Sequence, residues 1–254
     1  MSLPDLSKLD AAILDCLKEA KGRPRHCAWN SVRHLERAWA LADIDAQMAL
    51  FRAITAEEEA ATAVFIAVKQ LGYPNADRLN HRRHDQKQGL FPFLMAVNNF
   101  LASFEGGLPP VRLAVVTVDG SRRLILRIQV LDGRMGEPQP PLNFSVTDLG
   151  AQRRVRFTAQ LAGLASTTGS QEISDHLRNA ANLRNELLYA GDDGIPGIKG
   201  DIRPELAARQ QRVLVLLRAF CLIFPYQTHA LFVQQALDAF LVAVGCLREE
   251  ELDW

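Results

Sequence analysis

Between Trp29 and Leu71, the apolar residues Val32, Leu35, Trp39, Ala42, Ala46, Ala49 and Ala53 recur at three- and four-residue steps with charges between them. One face of a helix requires that spacing. The pattern predicts two helices with a break near Ile44 or Thr55. Alanine is abundant from Ala53 to Ala67, and small side chains let neighbouring helices approach closely. Gly72, Tyr73 and Pro74 then stop the pattern.

Further along, Asn75 or Asp77 can cap another helix that carries Leu79, His81, Arg82, His84, Asp85 and Lys87 towards Phe93 and Phe100, with a kink at Pro92. The segment from Gly106 to Leu142 changes character. VRLAVVTV, Asp119-Gly120 and RRLILRIQVL read as two strands joined by a tight turn, since Asp-Gly supplies the positive backbone dihedrals of a two-residue hairpin. Leu124, Leu126, Ile128 and Val130 alternate with Arg123, Arg127 and Gln129, so one hairpin face is expected to be apolar and the other polar. MGEPQPPLN is an irregular connection. Thr147 to Leu164 reads as a helix or, because RVRFTAQL alternates, as a further strand. Glu172 to Tyr189 is a long amphipathic helix ended by Gly191, and two apolar helices follow at about Pro204 to Phe224 and Tyr226 to Glu250.

The 254 residues balance 29 basic against 29 acidic side chains and are 48% hydrophobic. Chain-wide disorder would need fewer apolar residues and more net charge, and a protein gripping nucleic acid by bulk electrostatics would carry a large positive excess. Any polyanion contact must be local. The cations concentrate at Arg78 to Lys87 and along the hairpin, and the acids at Glu57 to Glu59 and Glu249 to Asp253. Cys16, Cys27, Cys221 and Cys246 are scattered without a CxxC pair, which suits a reduced, cytoplasmic chain. Asp5 and Asp10 interrupt what a signal peptide would keep apolar. The longest apolar stretches, Val213 to Phe224 and Ala236 to Cys246, are too short to span a bilayer, so no membrane partner is expected.

Three constellations are candidates for chemistry. In NHRRHDQK, Arg78, His81 and His84 stand at three-residue spacing along one stripe of the expected helix, with Asp85 and Gln88 adjacent to it. Two imidazoles beside several cations have lowered proton affinity, and they suit general acid-base work or phosphate binding; the alternative is a solvated helix face. His81 and His84 lack the four-residue step of a zinc-binding helix, so no metal is expected. Glu57, Glu58 and Glu59 fan across about 200° of a helix, so one of them can point inward and then needs a cationic partner, for which the His/Arg stripe is the candidate. In LRNELLYAGDDGIP, Arg184 and Tyr189 project about 140° apart and can flank a groove, with Asn185 between them. The bland counterpart is an Arg184 paired with a nearby acid and a Tyr189 packed at a helix end.

These residues resemble the HEPN superfamily of four- to five-helix bundles, whose recurring motif is Arg, usually Asn, three residues and His. Arg184 and Asn185 occupy the first two places, and Tyr189 stands where the His would be. Within the superfamily, AbiV-type abortive infection proteins have paired glutamates on an early helix, a basic H-x-x-K helix, and a late LR…LY segment followed by a glycine-containing loop and a proline. Here these elements are AEEEAA, His84 to Lys87, and LRNELLYAGDDGIP. The hairpin lies outside the resemblance.

The resemblance implies a mainly α, HEPN-like helical bundle with a β-hairpin insert at about 106–142, one domain over 1–254, assembled as a homodimer without cofactor. It implies an anti-phage effector that binds a cellular or phage component such as the translation machinery, with Glu58, Arg78 and Lys87 in the binding face. The alternative is a metal-independent endoribonuclease in which Arg184 holds the scissile phosphate, Asn185 orients it and His81 or His84 moves the proton. Tyr189 in the motif's His place would be a poor base near neutrality, since a phenol's reference pKa is about 10.

Overall fold

The computed structural model describes residues 3–102, 111–130, 133–148, 150, 153–157, 159–162, 198 and 200–252. The described chain is mainly α-helical. Helices α1 (Lys8–Cys16), α2 (Gly22–Leu41), α3 (Ala46–Gln70) and α4 (His84–Ala102) precede the strands β1 (Val111–Val118), β2 (Ser121–Gln129), β3 (Met135–Gly136), β4 (Thr147–Asp148) and β5 (Arg153–Arg154). Helices α5 (Arg203–Ile223) and α6 (Leu231–Ala243) follow.

Helix α3 is the axis of the bundle and packs against α2, α4 and α5. Ala49, Ala53, Ala56, Ala60, Ala61, Ala63 and Ala67 on it are completely buried, so three helices approach its backbone closely. The break that precedes it falls at Ile44, which is 79% exposed. Thr55 does not interrupt the helix, because its hydroxyl donates back to the Phe51 carbonyl at 2.8 Å. Asp45 starts α3 by accepting from the Met48 amide at 2.9 Å. Asp45→Ala is therefore expected to lower stability by about 1 kcal/mol, read as a shifted denaturation midpoint at unchanged slope. At the far end, Gly72 takes a φ of +74°, its amide bonds to the Lys69 carbonyl, and the Tyr73 amide bonds to that of Val68. That pair of bonds closes the helix, as the Gly72-Tyr73-Pro74 signal implied.

The next helix starts later than the sequence suggests. Asn75 is left-handed and Ala76–Arg78 form a single 3₁₀ turn, but the chain from Leu79 to Arg83 is not helical, and α4 begins at His84. Asn80 explains the delay: its side-chain oxygen accepts from the Arg82 amide, and its own amide donates to the Gln86 side chain at 2.6 Å. Local bonds of this kind compete with helix formation. Arg78, His81 and His84 consequently do not share a helical stripe.

β1 and β2 pair antiparallel through the Asp119-Gly120 turn, whose φ values are +50° and +76°. Leu124 and Leu126 are buried as the alternation requires, yet Ile125 on the opposite face is buried too, while Val130 is 46% exposed. The predicted alternation thus holds for Leu124 and Leu126 and fails at Ile125 and Val130. Further along, the short strands β4 and β5 pair with each other, and Gln235 of α6 bonds the backbone of Val146 and Val155. Helix α6 is shorter than the 226–250 span expected from periodicity. The preceding residues are held differently: the Tyr226 hydroxyl donates to the Leu124 carbonyl, and the Ala230 amide donates to the Tyr73 hydroxyl. Phe65, Phe93, Phe232 and Phe240 of the helices meet Phe157, which follows β5, in one aromatic core. No described helix is long and apolar enough to cross a membrane.

Candidate functional site

Consecutive helical residues point about 100° apart. On α3 that geometry sends each of three adjacent glutamates to a different neighbour. Glu59 accepts from Asn30 of α2 at 3.1 Å, Glu58 turns to α4, and Glu57 turns to α5. Both Glu57 and Glu58 are buried, at 1% and 3% exposure. The sequence pointed to one inward glutamate; the bundle has two.

Glu58 receives three side chains from the first turn of α4. His84 Nδ1 lies 2.9 and 3.0 Å from its two carboxylate oxygens, Lys87 Nζ donates at 2.9 Å and Gln88 Nε2 at 3.3 Å. Positions 84, 87 and 88 are neighbours on one helix face, which is why a single carboxylate meets all three. Gln88, which the sequence places beside the His84 stripe, is thus one of the groups on the carboxylate. Burial pushes the Glu58 carboxyl up, but the Lys87 and His84 bonds and charges outweigh it and hold the group below the usual glutamate range. Because an ionised carboxylate only accepts, the His84 Nδ1–H donates to Glu58. The His84 side chain is 41% exposed while those of Glu58 and Lys87 are almost wholly enclosed. The cluster therefore has a dry, charged interior and one imidazole at the surface.

The other proposed residues separate from this cluster. His81 accepts from the Arg23 guanidinium at 3.0 Å. Its proton affinity is lowered by burial and then by Arg23, Lys69, Arg82 and Lys87, which agrees with the effect expected of neighbouring cations. Arg78 pairs with Glu251 at 2.5 Å and bonds the Cys246 carbonyl. It clasps the 3₁₀ turn Glu249–Glu251 and does not join Glu58. Lys69 fixes the intervening loop by donating to the Leu79 carbonyl at 2.5 Å. Arg184, Asn185 and Tyr189 lie outside the described residues, as does the predicted helix from Glu172 to Tyr189.

Glu57 is met by a residue that periodicity did not single out. Arg209 Nη1 donates to it at 2.8 Å, and Arg209 Nε donates to Glu205 at 2.8 Å. Arg212 stands 3.9 Å from Glu57 and lies over the Phe91 ring.

Two concavities accompany these groups. Beside Glu59, a cleft of about 380 Å³ is lined by His26, Cys27, Trp29, Asn30 and Arg33. Inside the bundle, a cavity of about 100 Å³ is bordered by Phe65, Leu90, Phe93, Leu237 and Phe240 among other apolar side chains. Its described lining has no polar side chain to orient a ligand. Among the described residues, no group of three or more His, Cys, Asp or Glu side chains is placed to hold a metal ion. Compared with known protein families, curated proteins and solved structures, the chain matches none.

Proposed function

We propose that this protein is an anti-phage abortive infection effector of the HEPN-like, AbiV-resembling kind, acting as a homodimer that binds a cellular or phage component such as the translation machinery. The observation that carries the proposal is the meeting of Glu58 with both His84 and Lys87. The paired-glutamate helix and the H-x-x-K helix were two separate strings in the sequence. Their contact gives the resemblance a physical purpose: a buried carboxylate aligns the start of α4 and holds His84 at the surface.

Phage challenge tests this directly. Cells expressing the wild-type chain should survive as a population, whereas His84→Ala, which removes a partly exposed side chain, should lose protection while the purified variant keeps its far-UV circular dichroism. Full protection from both His84→Ala and Tyr189→Phe would remove the polar groove from the mechanism.

The endoribonuclease alternative has its own support, because a partly exposed imidazole oriented by a buried carboxylate is the type of group that serves in general acid-base catalysis. In that case the purified protein cleaves RNA in the presence of a chelator, and Arg184→Ala abolishes cleavage. Cleavage undiminished in that variant would discard the assigned site.

A further inference from the structure

We propose that β1 is a dimerisation strand: the β1 edges of two copies pair antiparallel about a two-fold axis and join their hairpins into one continuous sheet. The effector reading is not needed for this inference, which rests on the hairpin alone.

Among the described residues, the sheet order is β1-β2-β3, so β1 has a strand on one side only. Its sequence, VRLAVVTV, has one charge and no proline over eight residues. Natural sheet edges are ordinarily blunted by short strands, charges, prolines or bulges, and this one has little of that protection. Among the described residues, two of the six exposed large apolar side chains, Val111 and Val118, stand at the two ends of β1.

The register follows from the turn. In a two-residue hairpin the closing pair, Val118 and Ser121, is hydrogen-bonded, and bonded pairs alternate from there. Val118, Val116, Ala114 and Arg112 therefore bond β2, while Thr117, Val115, Leu113 and Val111 direct their amides and carbonyls outward. Tyr226 supports the assignment: its hydroxyl takes the carbonyl of Leu124, the residue opposite Val115, as a non-bonded pair permits.

A two-fold axis normal to the sheet keeps the faces of both copies aligned, so outward residues must meet outward residues. With the axis at Val115, that residue opposes itself, Leu113 opposes Thr117, and Arg112 lies beside Val118, one residue from Asp119. Such a seam has about six backbone hydrogen bonds. Charge selects this register. Arg112 faces Arg127 across its own hairpin, and Arg127 is already engaged by Glu137. Arg112 and Asp119 are both exposed, one near each end of the strand. Self-pairing brings each to its opposite twice.

Sedimentation equilibrium over a concentration series reads the outcome. A seam of this size is near the small end of stable interfaces, so a reversible dimer that dissociates on dilution is expected. Thr117→Pro removes only an outward amide, a place where a strand tolerates proline, and should leave a folded monomer. Arg112→Glu cannot disturb the core, because the side chain is exposed, and should raise the dimer dissociation constant at least about tenfold. Under oxidation Val115→Cys should form a covalent dimer in preference to Ala114→Cys, with the wild-type chain as background. A wild-type chain monomeric at every concentration would overturn the proposal and leave the edge to a foreign strand. A dimer unmoved by both Thr117→Pro and Arg112→Glu would overturn it in favour of another face, and preferential linkage of Ala114→Cys would overturn the register.

Discussion

Arg209→Leu should lower unfolding free energy by about 3–5 kcal/mol, because it strands the Glu57 carboxylate inside the bundle. For a chain of this size the loss corresponds to a melting temperature about 10 °C lower. Glu57 is 1% exposed and Arg209 7% exposed, so water replaces neither partner. The nearest other cation is Arg212, 3.9 Å from Glu57, and its guanidinium is held over Phe91, which restricts its approach. The intact pair is a different matter. Removing two charges from water costs nearly as much as their attraction returns, so the double variant Glu57→Leu/Arg209→Leu should recover most of the loss. Denaturant unfolding of the wild type, both single variants and the double variant closes the cycle. If Arg209→Leu cost less than about 1 kcal/mol, Arg212 or water would be neutralising Glu57, and the pair would not be the sealed contact between α3 and α5.

The same region shows what local sequence can and cannot report. Helical spacing located α2 and α3 and the break at Ile44, because an α-helix repeats its apolar face every few residues regardless of what covers it. Asp119-Gly120 located the hairpin because left-handed dihedrals restrict the residues that can hold them. The start of α4 was misplaced, since nothing in the spacing of Leu79, His81 and His84 reveals that the Asn80 side chain and amide are bonded elsewhere. Buried Ile125 was equally hidden, because alternation describes one covered face and the hairpin is covered on both at its centre. In the cluster, the sequence could state that an inward glutamate needs a cation. It named the helix that supplies it for Glu58, because Pro74 folds the chain back there. It could not name Arg209, 152 positions along the chain from Glu57.

Below the ordinary glutamate pKa of about 4.3, the protein is expected to lose stability progressively, and Glu58 is expected to account for a distinct part of that loss. Its carboxyl titrates lower in the folded state than in the unfolded chain, where it has no partner. The unfolded state therefore binds the proton first. The stabilisation is complete above the unfolded value and disappears as pH falls through the depressed folded value. Asp10, held down by Arg218 and Ser7 against the opposing effect of burial, adds to the same acid limb. Substitution separates the two. Lys87→Met should cost about 3–5 kcal/mol at neutral pH, because His84 is partly in water and Gln88 carries no charge to replace the ammonium. That penalty should shrink on acidification, since a protonated Glu58 no longer needs a cation. Glu58→Gln/Lys87→Met should be close to the wild type at neutral pH and should lack the Glu58 share of the acid limb, while the share belonging to Asp10 persists. Unfolding followed across this pH range in all three proteins decides the matter. A Lys87→Met penalty that stayed constant down to the acid limb would mean that the ammonium stabilises the fold through packing of its alkyl stem, and the ionised Glu58 would no longer be what holds the first turn of α4 against α3.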